Sequence, residues 1–173
     1  VADREPLTPF PEPTAFIATR AGVFVQYLDH FRSAVIGKID SLDEDELRRS
    51  RLASGWTPLE LVRHLRFVEL RWIEWGFRGE AIADPWDDHQ DGRWHIPESV
   101  SREQLVDELR AQGDRTRQVA LSSDLAGRGV PGPRWSGAEP ASLERVLFHL
   151  LQEYARHLGH LDIVAELAGD QSE

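Results

Sequence analysis

Residues 148–162, FHLLQEYARHLGHLD, set three histidines and a glutamate into an otherwise apolar helical run. His149, Glu153 and His157 are spaced four apart and His160 follows three later, so all four project from one side of an α-helix. Val146, Leu150, Leu161 and Val164 share that side and mark it as a core-facing stripe. Pro140 forbids an earlier start and Gly169 supplies a stop, which gives a helix from about Ala141 to Leu167. Any fold built on this chain must therefore turn the polar groups of its last helix inward.

Three more segments carry the helical period. Phe16, Val23, Phe24, Tyr27, Leu28, Phe31, Val35 and Ile39 define a first helix over 14–39. Thr57 as N-cap, Pro58 at the first helical position and Glu60 completing a capping box open a second, which runs to about Phe77. Its apolar side holds Leu61, Leu65, Val68, Trp72 and either Ile73 or Trp75, with His64 in the middle. Ser101 and Gln104 form a second capping box before a third helix to about Leu121, with Leu105, Leu109 and Val119 facing in. Four prolines in PLTPFPEPTAF predict an extended arm over 1–13. SLDEDEL reads as a connection with a short turn of helix, and 78–100 and 127–140 as long surface loops. Four amphipathic helices without a convincing strand predict an all-α four-helix bundle, a single domain over 14–173, with room for crossover connections.

Composition narrows the chemistry. A chain of 173 residues buries roughly two-thirds of its unfolded surface and needs no staple. It has no cysteine, which excludes disulfides, cysteine-ligated zinc and a cysteine nucleophile; thiol chemistry would need a thiol from outside. A net charge of −10 argues against nucleic acid or an anionic membrane as partner. No run approaches the ~20 apolar residues of a membrane span, so a cytoplasmic protein is expected. Lys38 is the only lysine, an arginine bias typical of a GC-rich genome.

A glutamate and a histidine four apart hold two ligand heads within reach of one ion, and a third ligand must come from another helix. His64 is the histidine on the apolar side of the second helix. His64, Glu153 and His157 would make a two-histidine, one-carboxylate set that leaves a coordination position open. The bland alternative is a hydrogen-bonded core histidine and a glutamate paired with Arg145 or Arg156, but those arginines lie off the stripe. His149 is placed to donate to Glu153, and His160 could replace Glu153 if the site sat one turn later. The acids of DPWDDHQDGRWH, with His89 and His95, read as a solvated loop, the alternative being a second metal site. Trp86, Trp94 and Trp135 are expected to cover the end of the bundle, with pocket lining as the alternative. Arg128 and Arg134 read as a solvated pair, the alternative being a bidentate grip on a carboxylate.

The runs SGWTPLELVRHLRFVELRWI and LFHLLQEYARHLGHLDIVAEL resemble the corresponding helices of the DinB/YfiT-like superfamily of metal-binding four-helix bundles, in particular its thiol-dependent, maleylpyruvate isomerase-like branch. The resemblance implies a divalent ion, zinc or nickel, on His64, Glu153 and His157. It also implies mycothiol as co-substrate, which suits the arginine-rich composition, and S-transfer to an electrophilic small molecule. His160 is then the candidate catalytic residue, assisting proton transfer. No counterpart of the additional C-terminal domain of the isomerase is expected, and neither is isomerisation of maleylpyruvate. A metal-dependent hydrolase, or a non-enzymatic, homodimeric metal-binding module, are the alternatives.

Overall fold

The computed structural model describes residues 7–169. The first half of the extended arm, 1–6, lies outside them. The remainder carries no regular structure and is tied to the first helix, where the Thr8 amide donates to Ser33 Oγ (3.0 Å) and Leu7 sits against Gly37. Helix α1 spans Arg20–Ile39, later than the periodicity predicts. Residues 12–15 close a turn, Ala15 N–H to the Glu12 carbonyl, and Thr19 then caps the helix by accepting from the Gly22 amide. Phe16 is left 91% exposed, outside the core stripe to which the sequence assigned it.

The acidic connection holds a four-residue helix, α2, Glu44–Leu47. Helix α3, Pro58–Leu70, starts with both halves of its capping box formed: the Glu60 amide donates to Thr57 Oγ1 (3.3 Å) and the Thr57 amide to Glu60 Oε2 (2.8 Å). From Arg71 to Phe77 it continues as a π-helix, with Arg78 N–H reaching back five residues to the Ile73 carbonyl (2.9 Å). The wider turn shifts the phase of the stripe. Ile73 enters the core while Trp72 and Trp75 stay half-buried.

Helix α4 spans Arg102–Ser122. Ser101 caps it, but the Gln104 side chain bonds Glu108 (2.9 Å) instead of returning to the cap, so only half of the expected box forms. Helix α5, Leu143–Gly169, ends the described chain. Helix α1 packs mainly on α4 and α5, and so does α3, so α1 and α3 face each other diagonally in an all-α bundle. The connections α1 to α3 and α4 to α5 are thus the diagonal ones. The longest loop, 78–100, joins neighbouring helices; its length is free to fold over the bundle. None of the described helices is long and apolar enough to cross a membrane.

Leu28, Val35, Ile39, Leu61, Leu65, Leu109, Leu147 and Leu150 form the central core. Each such side chain stabilises the fold by about 1.5–3 kcal/mol relative to exposure. A charged knot crosses this apolar centre. Glu69, fully buried on α3, accepts from Arg32 Nε (2.9 Å) and Nη2 (3.3 Å), from Tyr154 Oη (2.5 Å) and from Thr116 Oγ1. All four long helices contribute. Gly113 makes room for it, since a Cβ there would fall 2.6 Å from the Arg32 guanidinium.

Candidate metal centre

The loop over the bundle contains a two-residue antiparallel pair, His89–Gln90 (β1) with Arg93–Trp94 (β2), closed by Asp91 and Gly92, both at positive φ. An Asp-Gly pair is the residue choice such a tight turn requires. This hairpin, unanticipated in a loop read as solvated, carries Asp88 and Trp94 onto His64. Asp88 has no exposed surface; Asp84, Asp87 and Asp91 do face solvent.

His64 is held on two sides. Its Nδ1 lies 3.2 Å from Asp88 Oδ2, and its ring stacks on Trp94 at 4.2 Å and 20°. Asp88 also takes Arg71 through Nη1 (2.6 Å) and Nη2 (3.2 Å), and His89 Nδ1 (2.9 Å). Burial opposes ionisation of Asp88, but the hydrogen bonds from His64 and Arg71, with the charge of Arg71, hold its carboxyl well below the usual carboxylate range. An ionised acceptor fixes the His64 tautomer with hydrogen on Nδ1. Nε2 is left with its lone pair toward Glu153.

Glu153 sits among imidazoles. Its Oε2 is 3.2 Å from His157 Nε2 and 3.9 Å from His64 Nε2, and its Oε1 is 3.5 Å from His149 Nε2. Neither Arg145 nor Arg156 pairs with it among the described residues. Hydrogen bonding from His157 holds its carboxyl far below the ordinary value against the opposing effect of burial. His64, Glu153 and His157 offer ligand atoms that all lie within 4.8 Å of one another. Donors on a tetrahedral ion with bonds of about 2.0–2.2 Å stand roughly 3.3–3.6 Å apart. Small side-chain adjustments therefore suffice for these three to hold one cation. A second group, His64, Asp88 and His89, is equally close, but Arg71 already neutralises its only carboxylate.

The two other histidines of α5 flank the trio. His160 Nδ1 is 3.3 Å from His157 Nδ1, on the opposite side of that ring from Glu153, so it orients His157 as well as facing the cavity. Burial lowers its pKa, helped by His157 and Arg156. His149 stands edge-on to Trp72 at 4.8 Å, and its pKa is also lowered, by burial first and by the charge of Arg134.

A cavity of about 430 Å³ opens over the trio between Trp56, Trp94, Arg156 and His160. A larger one of about 720 Å³ lies between α1 and α4 beneath Leu7 and contains none of the histidines. Of the loop tryptophans, Trp135 covers the core as expected, Trp94 lines the cavity, and Trp86 remains 47% exposed. Arg128 pairs with Glu139 at the surface (3.1 Å), whereas Arg134 is half-buried and lies on Trp72, so the two are not a solvated pair. Asp88 and the stacking of Trp94 had one signal in the sequence, the Asp-Gly turn that sets them side by side.

The family model described as Mycothiol-S-transferase matches residues 23–169, a span that includes every side chain of this cluster. No curated protein matches the chain.

Proposed function

We propose, since the chain belongs to the mycothiol S-transferase family, that it is a metal-dependent transferase which moves the sulfur of mycothiol onto an electrophilic small molecule. The observation that carries this reading is the convergence of His64 Nε2, Glu153 and His157 Nε2 under an open cavity in a chain without cysteine. Zinc or nickel suits a donor set of two imidazoles and one carboxylate. Such a cation, when bound, supplies the Lewis acidity that keeps a thiol of ordinary pKa near ~8.5 ionised at neutral pH.

The chain's own residues do the rest. Asp88 and Trp94 fix the His64 ring, and His160 fixes His157, so the ligand atoms are aimed before anything binds. Glu153, ionised well below neutral pH, contributes the negative charge of the set. His160 lines the cavity with its pKa lowered, in the neutral form that accepts the proton the thiol gives up. Trp56 and Trp94 wall the cavity with apolar surface suited to an organic electrophile. Sulfur then forms its bond to the electrophilic carbon, and the displaced electron pair leaves with the departing group.

The test is fluorescent thioether formation from mycothiol and monochlorobimane by protein reconstituted with zinc or nickel. Turnover is expected to need both metal and thiol and to stop on chelation. Ester hydrolysis without thiol would replace this reading with a hydrolase; a bimane reaction no faster than without protein would overturn it. Asp88→Asn is expected to weaken metal affinity by about 10–100-fold, as loss of an outer carboxylate on a ligating histidine does elsewhere. Competition with a chromophoric chelator measures it, and unchanged affinity would remove Asp88 from the centre.

A further inference from the structure

A guanidinium keeps its charge at any physiological pH, and a charge withdrawn from water is costly unless an opposite charge meets it. The buried arginines of this chain obey that rule. Arg32 meets Glu69, Arg63 meets Asp87 and Arg71 meets Asp88; Arg66, whose Nε lacks a hydrogen bond, still has Glu108 at 3.8 Å. Arg134, itself half-buried, is the exception. Its Nε is buried without an acceptor, and no carboxylate pairs with it among the described residues. It lies instead on aromatic faces, 3.7 Å from the Trp72 ring centre and 5.9 Å from that of Trp75.

The position is built, not incidental. Arg134 belongs to a single 3-10 turn, Pro133–Trp135, pinned to the π-helical end of α3 by the Val130 amide on the Phe77 carbonyl (3.0 Å) and by Trp135 Nε1 on the Val130 carbonyl (2.9 Å). Gly76 admits its stem, since a Cβ there would stand 3.3 Å from Arg134 Cγ. The π-helix presents Trp72 and Trp75 together as the bed on which the guanidinium lies. On Trp72 also rests His149, whose Nε2 is 3.5 Å from Glu153 Oε1, so the guanidinium sits beside the cluster already described.

From this arrangement we propose that Arg134, backed by Trp72 and Trp75, is an anion-binding subsite that takes the carboxylate of a small organic acid. The guanidinium fork matches a carboxylate with two parallel hydrogen bonds, and the tryptophans offer apolar surface to the carbon skeleton. That this acid is the electrophilic substrate rests on the transferase reading; the existence of the subsite does not. Substrates would then divide into those bearing a carboxylate, held at Arg134 and presented to the metal cluster, and neutral ones held by the cavity alone.

Binding is tested on the metal-free 173-residue chain by isothermal titration with benzoate and with its uncharged counterpart benzamide. Saturable binding of benzoate, preferred over benzamide by roughly tenfold or more, is expected, and Arg134→Gln and Arg134→Met are expected to remove that preference. Arg134→Met keeps the packing on Trp72 and removes an uncompensated charge, so it is expected to melt no lower than the wild type; Arg134→Lys keeps the charge and is expected to recover binding only in part. Absence of saturable benzoate binding, equal affinity for the two compounds, or a preference unchanged in Arg134→Met would each overturn the subsite. With active enzyme, Arg134→Gln is expected to raise KM for a carboxylate-bearing electrophile more than for its amide. Benzoate binding without any transferase turnover would overturn the transferase reading and leave the subsite standing.

Discussion

His64→Ala is expected to fold as the wild type does and to lose its hold on a divalent cation, with affinity down by more than about 100-fold, beyond the effect typical of an outer-sphere partner. One of three protein donors disappears, and the other two lie on a single helix and cannot enclose an ion alone. The fold tolerates the change because Asp88 keeps Arg71 and His89 as partners, so no buried charge is orphaned. What is lost is one hydrogen bond and the stacking on Trp94, on the order of 1–2 kcal/mol together. Elemental analysis of protein purified without chelators, beside a chelator titration, measures the outcome. Wild-type metal content in the variant would show that the ligand set is misassigned. Transferase activity should vanish with the metal, which ties the chemistry to the same atoms.

Glu69→Ala produces the largest loss of stability, about 3–5 kcal/mol, the range found when one partner of a buried ion pair is removed. Arg32 would keep Asp29 at 2.9 Å but lose both bonds to Glu69, and Thr116 and Tyr154 would lose their shared acceptor inside the core. Burial works against the charge on Arg32, and it is the carboxylate of Glu69 that raises its pKa above the ordinary guanidinium value. Urea denaturation gives the comparison. The double variant Arg32→Met with Glu69→Leu should recover much of the loss, because replacing both charges by apolar groups of similar volume removes the desolvation cost with the attraction. A single-variant cost below about 1 kcal/mol would mean the knot contributes little beyond its packing. Because Glu69 lies on α3 and Tyr154 on α5, the elements that carry His64 and Glu153, the knot also sets the separation across which those two side chains meet.

The parts of the fold legible in the sequence are those governed by local rules. The capping box at Thr57, Pro58 and Glu60, the Pro140 punctuation and the inward stripe of the last helix each depend on neighbours within a turn or two, so spacing alone reveals them. The same logic put Glu153 and His157 within reach of one another, because residues four apart on a helix must be. His64 could be nominated because it interrupts an apolar face. The first helix began late and the π-helix went unseen for a related reason: in both places a local hydrogen-bond choice, Thr19 with Gly22 and Arg78 with Ile73, competes with a periodicity that continues smoothly through it.

Tertiary structure alone decided which distant side chains would face one another. Asp88 looks like one acid among several in a polar loop, and only the folding of that loop over α3 turns it into the buried acceptor that fixes the His64 tautomer. Glu69, Arg32, Thr116 and Tyr154 come from four helices, and no spacing rule links them. Arg134 reads as a surface arginine until the π-helix sets Trp72 beneath it. Helical periodicity says which way a side chain points but not what it meets, and the cost of burying a charge depends on what it meets. The amino-acid sequence thus determined a helical bundle with histidine and carboxylate turned inward; the packing of loops and helices determined which of the charges among the described residues were answered within the protein.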